Sequence, residues 1–302
     1  MTLPPITIAP YATDRAALRR GGIAMLVAAS VLWSLSGLAV KLAALDSLTF
    51  AMWRSLAGAV VLAMAIPLAR GRWPRARWMI PTVLCYTAVV SLLLAAMSRD
   101  TAARGILLQY TGPVFCALFA WVFQRRRLGG YTIAALIVAG IGIAVMIAGA
   151  SGGDGWALTY GLLSGIAFGG LILLLEKVNR ADGEEVNAIA VTFLNNAGAA
   201  VILVLICLVA GSPLLGDGRQ MAIVTITGVI QLAIPYALFQ MALKRVEPVD
   251  ASLLILLEPV LNPIWVAWAV GERPDWSTLV GGAAILAAMV IEAMKPAKTE
   301  ED

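Results

Sequence analysis

Read for hydropathy alone, the chain is a succession of apolar runs about 20 residues long, the length an α-helix needs to cross a bilayer, joined by short polar connections. Five runs cover Gly22–Leu42, Phe50–Ala69, Trp78–Met97, Gly105–Phe123 and Tyr131–Gly149, and five more cover Trp156–Leu175, Asn187–Ala210, Met221–Ala242, Ala251–Val270 and Ser277–Met294. The expected fold is therefore an all-α integral membrane protein with ten transmembrane helices. No soluble domain of useful size is left over, so any function has to reside within the bundle.

The ninth run breaks the apolar pattern most sharply. LLILLEPVLNPIWVAWAVGE, from Leu253 to Glu272, carries a carboxylate, an amide and two prolines at mid-span. Pro259 cannot donate to the carbonyl of Ile255, nor Pro263 to that of Pro259, and lipid cannot satisfy the freed oxygens. Such backbone is tolerated at membrane depth only where protein or a water-filled path covers it. At 3.6 residues per turn, Ile255, Glu258, Asn262 and Trp265 share one face. Glu258 then either hydrogen-bonds a neighbouring helix or marks a substrate pathway, the usual meaning of an intramembrane acid.

The chain also reads as two related halves, 22–150 and 155–295. Laying Trp78 onward over Val224 onward without a gap pairs Arg99 with Arg245, Leu107-Leu108 with Leu253-Leu254 and Pro113-Val114 with Pro259-Val260. Five helices per half is an odd number, so the halves enter the membrane in opposite senses. Inverted five-helix repeats of this kind are the sequence sign of alternating-access transporters. Gly112 stands where the second half has Glu258, so the two halves differ chemically.

Composition and charge narrow the classes. With 302 residues, 61% of them hydrophobic and 13% charged, and a mean hydropathy of +0.88, the chain lies outside the soluble globular class. The net charge of +4 is explained by position and not by nucleic acid. If the chain starts inside, the cytoplasmic segments carry sixteen Lys and Arg residues, whereas the opposite ends carry five: Lys41, Arg99, Arg104, Arg219 and Arg273. Both termini are thus expected in the cytoplasm, with 1–21 as a leader and 296–302 as a tail. There is no histidine, no phosphate-cradling glycine loop and no GxSxG elbow, and Cys85, Cys116 and Cys207 show no metal-ligand spacing. An enzyme, a cofactor and a metal site are accordingly not expected.

Other intramembrane polar and aromatic residues complete the candidate interior. Trp33 lies mid-span in helix 1 among small residues, Tyr86 lies near the middle of helix 3, and Gln109 lies on the face of helix 4 that includes Gly112. Phe168 neighbours the GxxxG steps Gly161, Gly165 and Gly169, whose default reading is close helix packing. Tyr236 follows Pro235 in helix 8. Arg54, about one turn inside helix 2, either snorkels to the headgroups or faces the interior. The expected substrate-binding set is Trp33, Tyr86, Gln109, Phe168, Tyr236, Glu258, Asn262 and Trp265, with Pro113, Pro235, Pro259 and Pro263 as bending points.

Leu32-Trp33-Ser34, Arg54, the paired prolines 113 and 259, and Gly271-Glu272-Arg273 after helix 9 together resemble the EamA-type drug/metabolite transporters over essentially the whole chain. Within that superfamily the chain is similar to the bacterial YddG-type exporters of aromatic amino acids. The first half carries Arg126 where the second has Glu272, a departure from the family pattern. The resemblance implies a monomeric bundle in the bacterial inner membrane, with helices 5 and 10 outside a central cavity. It also implies efflux of amino acids, aromatic ones preferred, or of related small metabolites. An exporter of drugs or other hydrophobic metabolites is the alternative; a channel or membrane-embedded enzyme fits less well. The partners implied are a small-molecule substrate and membrane lipid.

Overall fold

The computed structural model describes residues 9–68, 70–125, 128–149, 155–180, 186–242, 245–246 and 254–294. Arg126, the first eight residues, the last eight and the start of the ninth apolar run lie outside this set. The described chain is helical, without a strand; the single β-bridge, Arg72 to Val186, ties two connections together.

The first crossing is made by α1 (Ala9–Ser34) and α2 (Ser36–Ala43), interrupted at Leu35. The second is α3 (Ser47–Ala65) and the third α4 (Ala76–Arg99). The fourth is split into α5 (Ala102–Gln109) and α6 (Gly112–Gln124), and α7 (Gly130–Ala148) is the fifth. Then come α8 (Gly155–Arg180) and α9 (Ala188–Ala210). In the next crossing α10 (Gly218–Thr227) passes through a π-helical turn, Gly228–Ala233, into α11 (Ile234–Ala242). The chain ends with α12 (Leu257–Val270) and α13 (Trp276–Ala293). Nine helical spans among the described residues are long and apolar enough to cross a membrane. α12 has 14 described residues and is not among those nine.

Several of the helices are interrupted by breaks. Pro113 is the second residue of α6 and Pro259 the third of α12, so each opens a helical segment, where a missing N–H costs least. The turns before them, at Tyr110–Thr111 and at Leu256, fall at equivalent places in the alignment that pairs the two prolines. The Thr111 hydroxyl donates to the Leu108 carbonyl at 2.6 Å, satisfying an oxygen the break sets free. The break at Leu35 has no proline. There, Ser30 and Ser34 donate to the carbonyls of Leu26 and Val31 at 2.9 and 2.7 Å, the back-bonding that bends helices.

Glycines set the closest approaches. A Cβ on Gly165 would lie 2.6 Å from the Leu108 carbonyl oxygen, and one on Gly169 2.7 Å from the Cys116 nitrogen, so α8 lies directly on the α5–α6 turn. The Gly165–Gly169 step thus packs backbone to backbone, while Gly161 rests on the Leu108 side chain. α7 packs on α13 in the same way, since a Cβ on Gly142 would lie 2.6 Å from the Gly281 oxygen. Ile133, Ile137 and Ile141 of α7 are left exposed, as a lipid-facing stripe would be. The π turn is likewise held by contact: a Cβ on Gly228 would lie 2.7 Å from the Arg54 oxygen and 2.6 Å from the Ala57 Cβ.

One end of the bundle is closed by polar contacts. Asp46, Thr101, Asp217 and Asp275 cap α3, α5, α10 and α13 there. Lys41 pairs with Glu272 at 2.7 Å and donates to the Asp100 carbonyl, while Glu272 also accepts from the Ala102 N–H at 2.7 Å. Arg104 pairs with both Asp100 and Asp275 and donates to the Thr278 hydroxyl at 3.1 Å. Burial opposes the charge on Asp275, but hydrogen bonds from the Thr278 backbone and hydroxyl and the Ser277 hydroxyl, together with the Arg104 guanidinium, outweigh it and bring its pKa down to about 2. Every residue of α5 from Ala102 to Leu108 is buried, whereas in α6 only Gly112 and Val114 are.

Candidate functional site

The interruptions of the helices touch one another through polar groups. The Tyr110 hydroxyl, at the α5–α6 break, donates to Glu258 Oε2 at 2.8 Å and lies 3.4 Å from the Ile255 carbonyl oxygen. That carbonyl is the one that Pro259 deprives of its helical donor, so the phenol covers both the acid and the freed oxygen. Ser30 of α1 reaches the neighbouring Leu254 carbonyl at 3.1 Å. On the other side, Gln231 in the π turn donates to the Trp33 carbonyl at 3.1 Å, just ahead of the Leu35 break. Its amide oxygen accepts from Arg54 Nη1 at 3.0 Å. Such turns recur at functional sites, because the extra residue re-aims a side chain while keeping the backbone bonded.

Around these groups the structure gathers rings. Trp33 meets Tyr236 edge-on, with centroids 5.2 Å apart, and Phe239 at 5.6 Å. Tyr86 is buried and donates to Asn196 Oδ1 at 2.8 Å; Asn196 in turn donates to the Thr192 carbonyl. Ser30, which reaches Leu254, and Trp33, whose carbonyl accepts from Gln231, stand three residues apart on α1, so the Arg54–Gln231 pair and the segment that carries Glu258 both meet one turn of that helix. Beside that turn lie the Trp33, Tyr236 and Phe239 rings.

The remaining candidates lie elsewhere. Asn262 is fully buried and donates to the Ser36 hydroxyl at 3.0 Å, and the Trp265 indole donates to the Ser34 hydroxyl at 2.8 Å. Both therefore join α12 to the first crossing at the Leu35 break. A Cβ on Gly37 would lie 2.5 Å from Asn262 Oδ1 and 2.7 Å from the Ala102 Cβ, so α2, α5 and α12 meet tightly there. Phe168 packs on Gly112, where an added Cβ would lie 2.4 Å from its ring. Gln109 keeps its Oε1 buried and unpartnered. Among the described residues, no hydrogen bond or ring contact joins Gln109 or Phe168 to the Trp33, Tyr236 and Arg54 group. Pro235 is the second residue of α11, directly after the π turn, and Pro263 lies within α12.

Three residues of the site are absent from the expected set. Tyr110 carried a readable signal, since a phenol at mid-membrane needs a partner and it stands two residues before Gly112, the counterpart of Glu258. Arg54 is 6% exposed and bonded inward, so it does not snorkel. Gln231 reaches Arg54 through the π turn, whose sign in the sequence is Pro235, which cannot donate to the Gln231 carbonyl. A space of about 640 Å³ between α3 and α9 is lined by apolar side chains such as Leu56, Val60, Phe193 and Val204 and has no group to orient a polar ligand. No cluster of potential metal ligands occurs among the described residues.

Comparison with known proteins agrees with this membrane architecture. A protein of Pseudomonas aeruginosa described as uncharacterized is 27% identical over 264 residues, covering 83% of this chain and 87% of its own. An uncharacterized transporter of Archaeoglobus fulgidus is 27% identical over 212 residues, covering 69% of this chain and 73% of its own. Another from Clostridium kluyveri is 22% identical over 219 residues, 69% of each chain. One solved crystal structure shares the fold with a TM-score of 0.58 at 21% identity, covering 90% of this chain and 96% of that one. Residues 20–148 and 155–293 each match the EamA-like transporter family, two copies that take in almost every helix described above, and the chain belongs to that family.

Proposed function

We propose that the chain is a secondary transporter that exports amino acids, aromatic ones preferred, or related small metabolites across the bacterial inner membrane by alternating access. In this reading ten spans form two inverted five-helix repeats with both termini in the cytoplasm, and the prolines at the helix breaks serve as bending points. The observation that carries it is the Tyr110–Glu258 contact between the two matched breaks, beside the Trp33, Tyr236 and Phe239 rings. A carboxylate with a phenol at its side suits an ammonium group, and ring edges and faces suit an aromatic side chain, each ring pair worth roughly 0.5–1.5 kcal/mol. Discontinuous helices at the repeat interface are where transporters of this build hold their substrates.

The test is uptake of labelled phenylalanine or tryptophan into proteoliposomes of the purified protein, with and without a pH gradient, for wild type and Glu258→Gln. Saturable uptake inhibited by other aromatic amino acids is the expected result, with the variant impaired. Absence of uptake in a preparation that binds or transports other hydrophobic metabolites overturns the amino-acid reading.

A further inference from the structure

A guanidinium inside a membrane bundle is costly unless its charge and its donors are met. Arg54 is only 6% exposed, yet its one hydrogen bond among the described residues goes to a neutral amide, Gln231 Oε1 at 3.0 Å. Its Nε is buried without a partner, and it pairs with no carboxylate among the described residues. Glu258, whose segment meets the same turn of α1 through Ser30 and Leu254, is held by Tyr110 instead. Among the described residues, the bundle therefore places a base and an acid against the same turn of α1 without pairing them with each other.

The Gln231 amide is fixed at both ends, oxygen toward Arg54 and nitrogen toward the Trp33 carbonyl. The guanidinium is thus held from the π turn by the same amide that bonds the backbone of Trp33, whose ring meets Tyr236. A planar guanidinium fork matches a carboxylate in two parallel hydrogen bonds, which an ammonium or an amide cannot do.

We propose that Arg54 is the carboxylate anchor of the substrate site and that Glu258 with Tyr110 is its ammonium pole. The transported species is then a zwitterion carrying both groups, and the carboxylate is a condition of recognition. This rests on the transporter reading above and adds to it the charge pattern of the substrate. Amines of the same ring and cationic drugs lack the group that meets Arg54.

The experiment is counterflow of labelled phenylalanine in proteoliposomes, competed by phenylalanine, phenylalaninamide, phenethylamine and 3-phenylpropionate. For wild type, the amide and the amine are expected to compete at least about tenfold less well than phenylalanine, the scale of a lost charge-assisted contact. In Arg54→Gln that preference is expected to fall to within about twofold, with Arg54→Lys intermediate. Equal competition by phenylalaninamide in wild type overturns the assignment without needing any variant. A variant that loses phenylalanine and phenylalaninamide alike makes Arg54 a structural pin, and also overturns it. If wild type moves no amino acid at all, the proposed function fails and this assignment with it, whereas failure of discrimination alone leaves amino-acid transport standing.

Discussion

Tyr110 donates to Glu258 across two helix breaks that occupy equivalent places in the two halves of the chain. The phenol belongs to the first half and the acid to the second, so the contact exists only while the halves are packed as seen here. Tyr110→Phe removes the donor and keeps the ring. A hydrogen bond to a charged group contributes about 1.5–3 kcal/mol, so kcat/KM for transport is expected to fall by about tenfold or more, with insertion unchanged. Unaltered kcat/KM in proteoliposomes would remove Tyr110 from the site.

Much of this arrangement could be read from the sequence, and the parts that could not share a cause. Prolines announce the breaks before α6 and α12, because a missing N–H and a ring clash act locally. The break at Leu35 depends on serines that turn back on their own helix, which a run of Ser, Trp and Ser does not declare. The π turn depends on Gly228 meeting the backbone of α3, a contact between segments some 170 residues apart in sequence, from 58 to 228. Arg54 illustrates the same limit. Its place one turn inside a helix is compatible with headgroups or with the interior, and only the position of Gln231 decides. Asn262 and Trp265 share a helical face with Glu258, yet they bond to Ser36 and Ser34, because the neighbouring crossing changes direction at Leu35.

The α8 glycines give a stability prediction independent of function. A Cβ on Gly169 would lie 2.7 Å from the Cys116 nitrogen and 2.8 Å from the Gly112 oxygen, both backbone atoms that cannot move without shifting α6. Gly169→Ala is expected to destabilise by about 1–3 kcal/mol, the usual cost of overpacking. Gly130→Ala, where nothing lies within 4 Å of the added carbon, is the control and is expected to be neutral or slightly stabilising. Thermal unfolding in detergent compares the two.

The ion pairs of Lys41 and Arg104 hold α2, α5, α12 and α13 together at one end of the bundle, so loosening them should favour opening there. Lys41→Met with Arg104→Gln removes the pairs to Glu272, Asp100 and Asp275. If each partly exposed link contributes up to about 1 kcal/mol, the open population rises roughly fivefold per link. The measurement is the labelling rate of Ser36→Cys, a buried position, by a membrane-impermeant maleimide after Cys85, Cys116 and Cys207 are replaced. Faster labelling in the double variant, reversed when Lys41→Glu is combined with Glu272→Lys in place of Lys41→Met, is the expected pattern. An unchanged rate would mean that apolar packing alone keeps this end shut.

Asp275 gives that end a defined pH response. Its pKa in the fold is about 2 against an ordinary 3.8, so the folded state favours the ionised form. A depressed carboxyl stabilises the fold fully above the ordinary value and loses that contribution as pH falls toward the folded one. Asp275→Asn keeps a good N-cap for α13 and removes only the charge, which isolates the ionic part. The difference in unfolding temperature between wild type and Asp275→Asn is therefore expected to be constant above about pH 4 and to shrink steadily toward pH 2. A difference that does not change over that interval would show that the Asp275 carboxyl is not depressed in the fold, so that neither the Thr278 and Ser277 hydrogen bonds nor the Arg104 link favours its ionised form.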